Sequence, residues 1–227
     1  MRNCSSPPAE PGPAAITGLF KTFAASLLVL LTGLVCLLAA TEGGSAFTTE
    51  TARRSAVAQA PQQLPDIQLF DADAKTTSLL QLVSTGEKVW IVDFVYTRCQ
   101  TVCSALGSVY QQLQQQILDG GLADRVGLLS ISFDPAADDA AALRAYAKRM
   151  RLDPAAWTIV TLAALSDRRR LLDAFGIMVL PAPLGEFEHN AALHLIDSRG
   201  RLLRIMDYET PTRALELART LTQPSPG

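Results

Sequence analysis

In the stretch Phe94-Val95-Tyr96-Thr97-Arg98-Cys99-Gln100-Thr101-Val102-Cys103, two thiols stand four residues apart. They follow a largely apolar run, 89–96, and precede a helical pattern. Thiols at such a junction can hold a soft metal ion or exchange electrons with a disulfide. The spacing is C-x-x-x-C, one residue longer than the C-x-x-C redox motif. Residues four apart on a helix have Cβ atoms ~5–6 Å apart, whereas a disulfide needs ~3.5–4.5 Å. Two thiolates on one metal, at bonds of ~2.3 Å, suit this spacing better. A helix N-terminus also favours the thiolate, and Arg98 adds a nearby cation. The plainer reading is a stapled loop or a pair of buried core thiols, and so short a loop gains little from stapling.

The elements that must position this motif alternate along the chain. A short strand is expected over 67–70 and a central strand over 89–96, interrupted only by Asp93. Apolar residues at 109, 113 and 117 mark a helix over 107–118, stopped by Gly120-Gly121. A second buried strand, 126–133, closes on Asp134-Pro135, and a helix follows over 140–150. A third strand spans 157–162. Ser166-Asp167 is read as a cap opening a helix over 168–175, ended by Gly176. Segments 192–197 and 201–207 flank Ser198-Arg199-Gly200 as a hairpin, and Thr210-Pro211 starts a last helix to about residue 221. Strand–helix–strand, then a helix leading into an antiparallel hairpin and a terminal helix, is the thioredoxin layout. The fold class expected is therefore α/β, thioredoxin-like, with one N-terminal transmembrane helix.

The membrane segment is 22–40, nineteen residues without a charge, enough to cross a hydrocarbon core of ~30 Å. Arg2 and Lys21 precede it and Glu42 is the first charge after it, so the N-terminus stays cytoplasmic and the rest is exported. Its length favours an uncleaved anchor, while Gly44-Ser45-Ala46 also offers a small-x-small cleavage site. The organisation expected is a cytoplasmic tail over 1–21, the anchor over 22–40, a flexible linker over 41–63, the folded domain over 64–222 and a C-terminal tail over 223–227. Cys36 is read as lipid-facing or helix-packing, without chemistry, and Cys4 lies before the anchor. A formal net charge of −2 without blocks of like charge argues against a nucleic-acid surface. Neither a Gly-rich phosphate loop nor a zinc-finger spacing is present.

Two histidines remain, His189 and His194. His194 lies between Leu193 and Leu195 inside the hairpin's first strand, so it points away from both. His189 lies in the segment Glu186-Phe187-Glu188-His189-Asn190, read as a loop from which a side chain can reach the cysteine turn. It could complete a site of two cysteines and one histidine, although a lone histidine is more often a surface or satisfied residue. Thioredoxin-type reductases carry a proline just before this strand. Here none lies between His189 and Leu195, and Pro181 and Pro183 come earlier, which weakens a general disulfide reductase. Asp134, Asp138 and Asp139 read most simply as helix-cap and first-turn charges, with a supporting or docking role near the cysteine loop as the other reading. Tyr96 and Trp157 are read as core, Arg168-Arg169-Arg170 as a solvated helix face, and Met150, Met178 and Met206 as packing.

Phe94-x-Tyr96-Thr97-x-Cys99-x-x-x-Cys103, then Asp134-Pro135-x-x-Asp138, then His189 six residues before Leu195-Ile196-Asp197-x-x-Gly200, resembles the Sco/SenC family. The resemblance runs from about residue 65 to residue 207 and includes the N-terminal anchor. It implies a membrane-anchored thioredoxin-fold protein that binds copper, Cu(I) or Cu(II), through Cys99, Cys103 and His189. It further implies a metallochaperone that delivers copper to the CuA centre of cytochrome c oxidase, or prepares that centre's cysteines. The expected partners are the oxidase subunit carrying CuA or another cuproprotein, a thiol reductant and other copper chaperones. The expected place is a bacterial inner membrane, single-pass, with the domain facing the periplasm. Gln100 and Ser104 stand where the family usually has prolines, and Asn190 where Ser or Thr is commoner. The alternative is an exported thiol-disulfide oxidoreductase or peroxidase-like enzyme using Cys99 and Cys103 as its redox pair.

Overall fold

The computed structural model describes residues 13–40, 49–99, 102–183 and 186–222; the side chains of 13–20, 40 and 102–106 fall outside that description. The chain divides into two compact units, one ending at Arg53 and the other starting at Arg54. In the first, helix α1 (Pro13–Ala40) holds a 19-residue stretch, Lys21–Ala39, long and apolar enough by composition to cross a membrane. Its Cys36 is an exposed thiol, whereas Cys4 lies outside the described residues.

Helix α2 (Thr49–Gln59) falls inside the segment expected to be a flexible linker. From Arg54 onward it belongs to the folded unit, and its Val57 is fully buried. Strand β1 (Gln62–Gln63) also lies within the expected linker and pairs with the hairpin. One buried valine in a polar helix is too weak a period to read from sequence. Residues 41–48 lie outside the described residues.

The remaining elements are β2 (Gln68–Asp71), β3 (Thr76–Ser78), α3 (Leu79–Val83), β4 (Val89–Val95), α4 (Val102–Asp119), β5 (Val126–Ser132), α5 (Ala140–Met150) and β6 (Trp157–Leu162). They are followed by α6 (Arg168–Phe175), β7 (Val179–Pro181), β8 (Phe187–His189), β9 (Leu193–Ile196), β10 (Arg201–Met206) and α7 (Pro211–Leu221). Eight strands form one sheet in the order β1-β10-β9-β4-β5-β6-β2-β3, and β7 pairs with β8 in a separate hairpin. Strands β4, β5 and β6 are parallel, while β9 runs antiparallel to β4. Every residue of β4 and β5 is buried, as a sheet covered on both faces requires.

The pleat of β4 sorts its side chains between two cores. Val92, Phe94 and Tyr96 join Leu129, Phe133 and Phe175 on one face. Ile91 and Val95 join Tyr110, Leu113, Tyr146 and Trp157 on the other. At ~25 cal/mol per Å² of apolar surface removed from water, burying each such side chain is worth about 1.5–3 kcal/mol. Opposite Trp90, β5 has Gly127, where a Cβ would come within 2.6 Å of the indole ring. Gly176 closes α6 with φ 66°, a conformation that favours glycine. Helix α6 opens through a 3-10 turn, Leu165–Asp167, and Asp167 makes no capping hydrogen bond with its side chain. This differs from the side-chain cap expected at Ser166-Asp167.

Candidate metal centre

Cys99 sits in the turn that leaves β4, and its backbone N–H donates to the Tyr96 carbonyl at 3.2 Å. Helix α4 begins at Val102. Cys99 therefore precedes the helix, and the pair does not stand four apart on one helix as the spacing argument took it. The backbone of Cys103 occupies the second position of α4 while its sulfur lies outside the described residues. Cys99 is only 7% exposed and packs in the same core cluster as Tyr96 and Phe133.

Three carboxylate or guanidinium groups hold that turn. Asp138 is fully buried. Its Oδ2 accepts from the Thr97 N–H at 2.9 Å and from Ser132 Oγ at 2.5 Å, and its Oδ1 accepts from Thr97 Oγ1 at 2.6 Å. Asp134 pairs with Arg98 at 2.8 Å. Arg149, from α5, donates to the Thr97 carbonyl at 2.8 Å. Asp139 alone caps α5 as expected, accepting from the Ala142 N–H at 2.8 Å. For Asp134 and Asp138 the cap reading gives way to bracing of the cysteine turn. The Arg98 cation is balanced by Asp134, which raises the guanidinium pKa further above its ordinary value.

His189 is on β8, opposite Val179 of β7, and not in a loop. Its ring meets Phe133 at 5.3 Å and Tyr96 at 6.4 Å between centroids. Nδ1 lies 3.1 Å from the Asn190 carbonyl. A carbonyl only accepts, so Nδ1 must carry the hydrogen and Nε2 is left with a lone pair. That Nε2 is buried and has no hydrogen-bond partner among the described residues. Burial pushes the imidazole pKa below its ordinary value, partly offset by the Asn190 carbonyl, so the neutral form is favoured. A histidine anchored through one nitrogen to a carbonyl, with the other bare, is the usual arrangement of a metal-ligating imidazole. Thiolate and imidazole donors fit a soft first-row metal. No group of three or more Cys, His, Asp or Glu side chains assembles among the described residues, which do not include the Cys103 sulfur.

Tyr96, read as a core residue, ties the two halves together. Its hydroxyl donates to Glu186 Oε2 at 2.6 Å and lies 3.2 Å from the Phe187 carbonyl, and it accepts from the Phe187 N–H at 3.3 Å. Burial, then the hydrogen bonds with Glu186 and Cys99, hold the phenol pKa well above its ordinary value. Asn190 adds a second fastening: Oδ1 accepts from the Met178 N–H at 2.6 Å and Nδ2 donates to the Gly176 carbonyl at 3.0 Å. A tyrosine that opens a turn gives no sequence sign of these partners. The motif spacing Asp134-x-x-x-Asp138 was the one signal available for the brace. His194 takes no part: its Nε2 meets the Phe175 carbonyl at 3.2 Å and its ring packs edge-on against Phe94 and Phe175.

An α/β sheet of this order, with a thiol in the turn leaving its central strand and an imidazole on a hairpin packed against Tyr96 and Phe133 of the same cluster, defines a thioredoxin-like protein with a candidate metal centre. The SCO1/SenC family model matches residues 61–222, and the chain belongs to that family. A Bacillus subtilis SCO1 protein homolog is 28% identical over 138 residues, covering 60% of this chain and 68% of its own. A SCO1/SenC family lipoprotein from Bacillus anthracis superposes with TM-score 0.60 at 26% identity, over 71% of this chain and 98% of that one. Bradyrhizobium japonicum ScoI, solved with copper bound, gives TM-score 0.58 at 21% identity over 70% of this chain and 98% of that one.

Proposed function

We propose that this protein is a membrane-anchored copper carrier whose cargo is held by Cys99, Cys103 and His189. The carrying observation is the His189 imidazole, fixed through Nδ1 to the Asn190 carbonyl, with a buried Nε2 that has no hydrogen-bond partner among the described residues. Relatives named for their copper complexes support the choice of metal. Thiolates suit Cu(I), and an imidazole adds affinity for Cu(II), so one donor set serves both oxidation states. In this reading, residues 22–40 anchor the chain in a bacterial inner membrane and the folded unit faces the periplasm. The recipient is the oxidase subunit bearing CuA, in keeping with a structural relative, BsSco, a member of the Sco family of cytochrome c oxidase assembly proteins. The exported thiols need a reductant partner to stay competent, since that compartment oxidises cysteine pairs.

The test is an anaerobic titration of the full-length, detergent-solubilised, reduced protein with Cu(I) against a competing chelator, followed by oxidation and absorption and EPR spectra. One tight equivalent lost in Cys99→Ser, with a thiolate-to-Cu(II) band altered in His189→Ala, is expected. Weak binding indifferent to both substitutions overturns the reading and directs the cysteines to disulfide-reductase assays.

A further inference from the structure

Among the described residues of the folded unit, four large apolar side chains stand well exposed: Leu165 at 56%, Met178 at 68%, Leu180 at 56% and Leu221 at 38%. Three of these four belong to one edge, formed by the turn before α6 and by the segment entering and forming β7. Such clustering, as opposed to scattered single residues, is the mark of an interaction surface.

The edge is also concave. A groove of about 530 Å³ runs between α6 and β7, with Leu172 and Ile177 in its lining and Leu165 and Met178 at the surface. Its charged lining is Arg168, Arg169 and one carboxylate, Asp173. Asp173 is already engaged by Arg169 at 3.5 Å, so the lining carries one positive charge in excess. The groove therefore offers apolar contact beside unbalanced positive charge, which complements an apolar side chain flanked by carboxylates.

The groove adjoins the metal centre directly. Val179 lines it and pairs with His189 across the β7–β8 hairpin. The Arg168 guanidinium lies 4.9 Å from the centre of the Phe187 ring and 5.4 Å from that of Phe133. Phe133 in turn touches the His189 ring at 5.3 Å. A partner seated here has its contact surface one strand away from the cargo.

We infer that the groove between α6 and β7 is the docking surface for the copper recipient, which inserts an apolar side chain bordered by carboxylates against Leu165, Met178 and the α6 arginines. This rests on the carrier reading above. The test places a photo-crosslinking amino acid at position 178 of the full-length protein in its own membrane, with position 199, an exposed turn residue, as control. Adducts with the CuA-bearing oxidase subunit are identified by mass spectrometry. An adduct at 178, absent at 199 and reduced at least fivefold by Arg169→Glu, is expected, with Cu(I) affinity of Arg169→Glu within twofold of the parent. No adduct with that subunit at 178, equal adducts at both positions, or an adduct indifferent to Arg169→Glu overturns the inference. A failure of Cu(I) binding in the parent protein is read separately in the titration and overturns the carrier reading instead.

Discussion

The Tyr96 hydroxyl donates to the Glu186 carboxylate at 2.6 Å across a sequence separation of 90 residues. This bond joins the end of β4, which carries the cysteine turn, to the start of the strand that carries His189. The distance between thiol and imidazole therefore depends on a phenol that is no ligand itself.

Tyr96→Phe keeps the ring packed against Phe133 and Phe187 but leaves the Phe187 N–H without its acceptor. The expected cost is about 1–3 kcal/mol in chemical denaturation, with copper affinity lowered about tenfold through the misplaced imidazole. A variant equal to the parent in both measurements would show that the clasp does not set the site.

Asp138 takes three hydrogen bonds while fully buried, so Asp138→Ala removes a charged acceptor from three donors at once. A loss on the order of 4 kcal/mol is expected. Asp138→Asn, which keeps the shape, should lose less yet still speed thiol-reagent labelling of Cys99, because the Thr97 N–H and hydroxyl hold the turn. Labelling at the parent rate would separate Asp138 from the site.

Asp93 supplies the clearest pH dependence. It projects into the core face shared with Ile91 and Val95, and burial pushes its carboxyl pKa up to about 7. The hydroxyls of Ser130 and Tyr110 oppose this only in part, as neither oxygen has a hydrogen bond of full geometry among the described residues. The folded pKa lies above the ordinary 3.8. Below pH 3.8 both states are protonated and the contribution to stability is fully present; it is lost as pH rises toward 7 and is flat beyond. The span is up to about 4 kcal/mol. Asp93→Asn should remove that slope and stabilise the protein at pH 8, read by urea denaturation at several pH values.

His189 gives the opposite sign in the metal-free protein. Its folded pKa lies below the ordinary 6.5 through burial, so its contribution is intact above pH 6.5 and lost as pH falls through and below it. His189→Gln should flatten this acid-side loss, while at pH 8 it costs stability through the lost Nδ1 bond to the Asn190 carbonyl and the lost ring contact with Phe133. Stability curves of variant and parent that stay parallel from pH 8 to 5 would exclude a buried neutral imidazole.

The strands and helices around Cys99 were legible because their signals are local. The apolar run at 89–95, the stripe through Val109, Leu113 and Ile117, the stops at Gly120 and Gly176 and the proline at 211 act within a few residues. α2, β1 and the β7–β8 hairpin were not legible, since each is too short or too polar for a period and exists only through what it packs or pairs with. The sequence by itself determined the order of Cys99, Cys103 and His189 and the family to which that order belongs. Only the tertiary structure decided that Cys99 stands before α4, that Asp134 and Asp138 brace its turn, that Tyr96 clasps Glu186, and that Nε2 of His189 is the nitrogen left bare. The contacts of Arg98 with Asp134, Thr97 with Asp138 and Tyr96 with Glu186 join residues 36 to 90 positions apart, and a one-dimensional pattern fixes residue types but not which distant group will meet them.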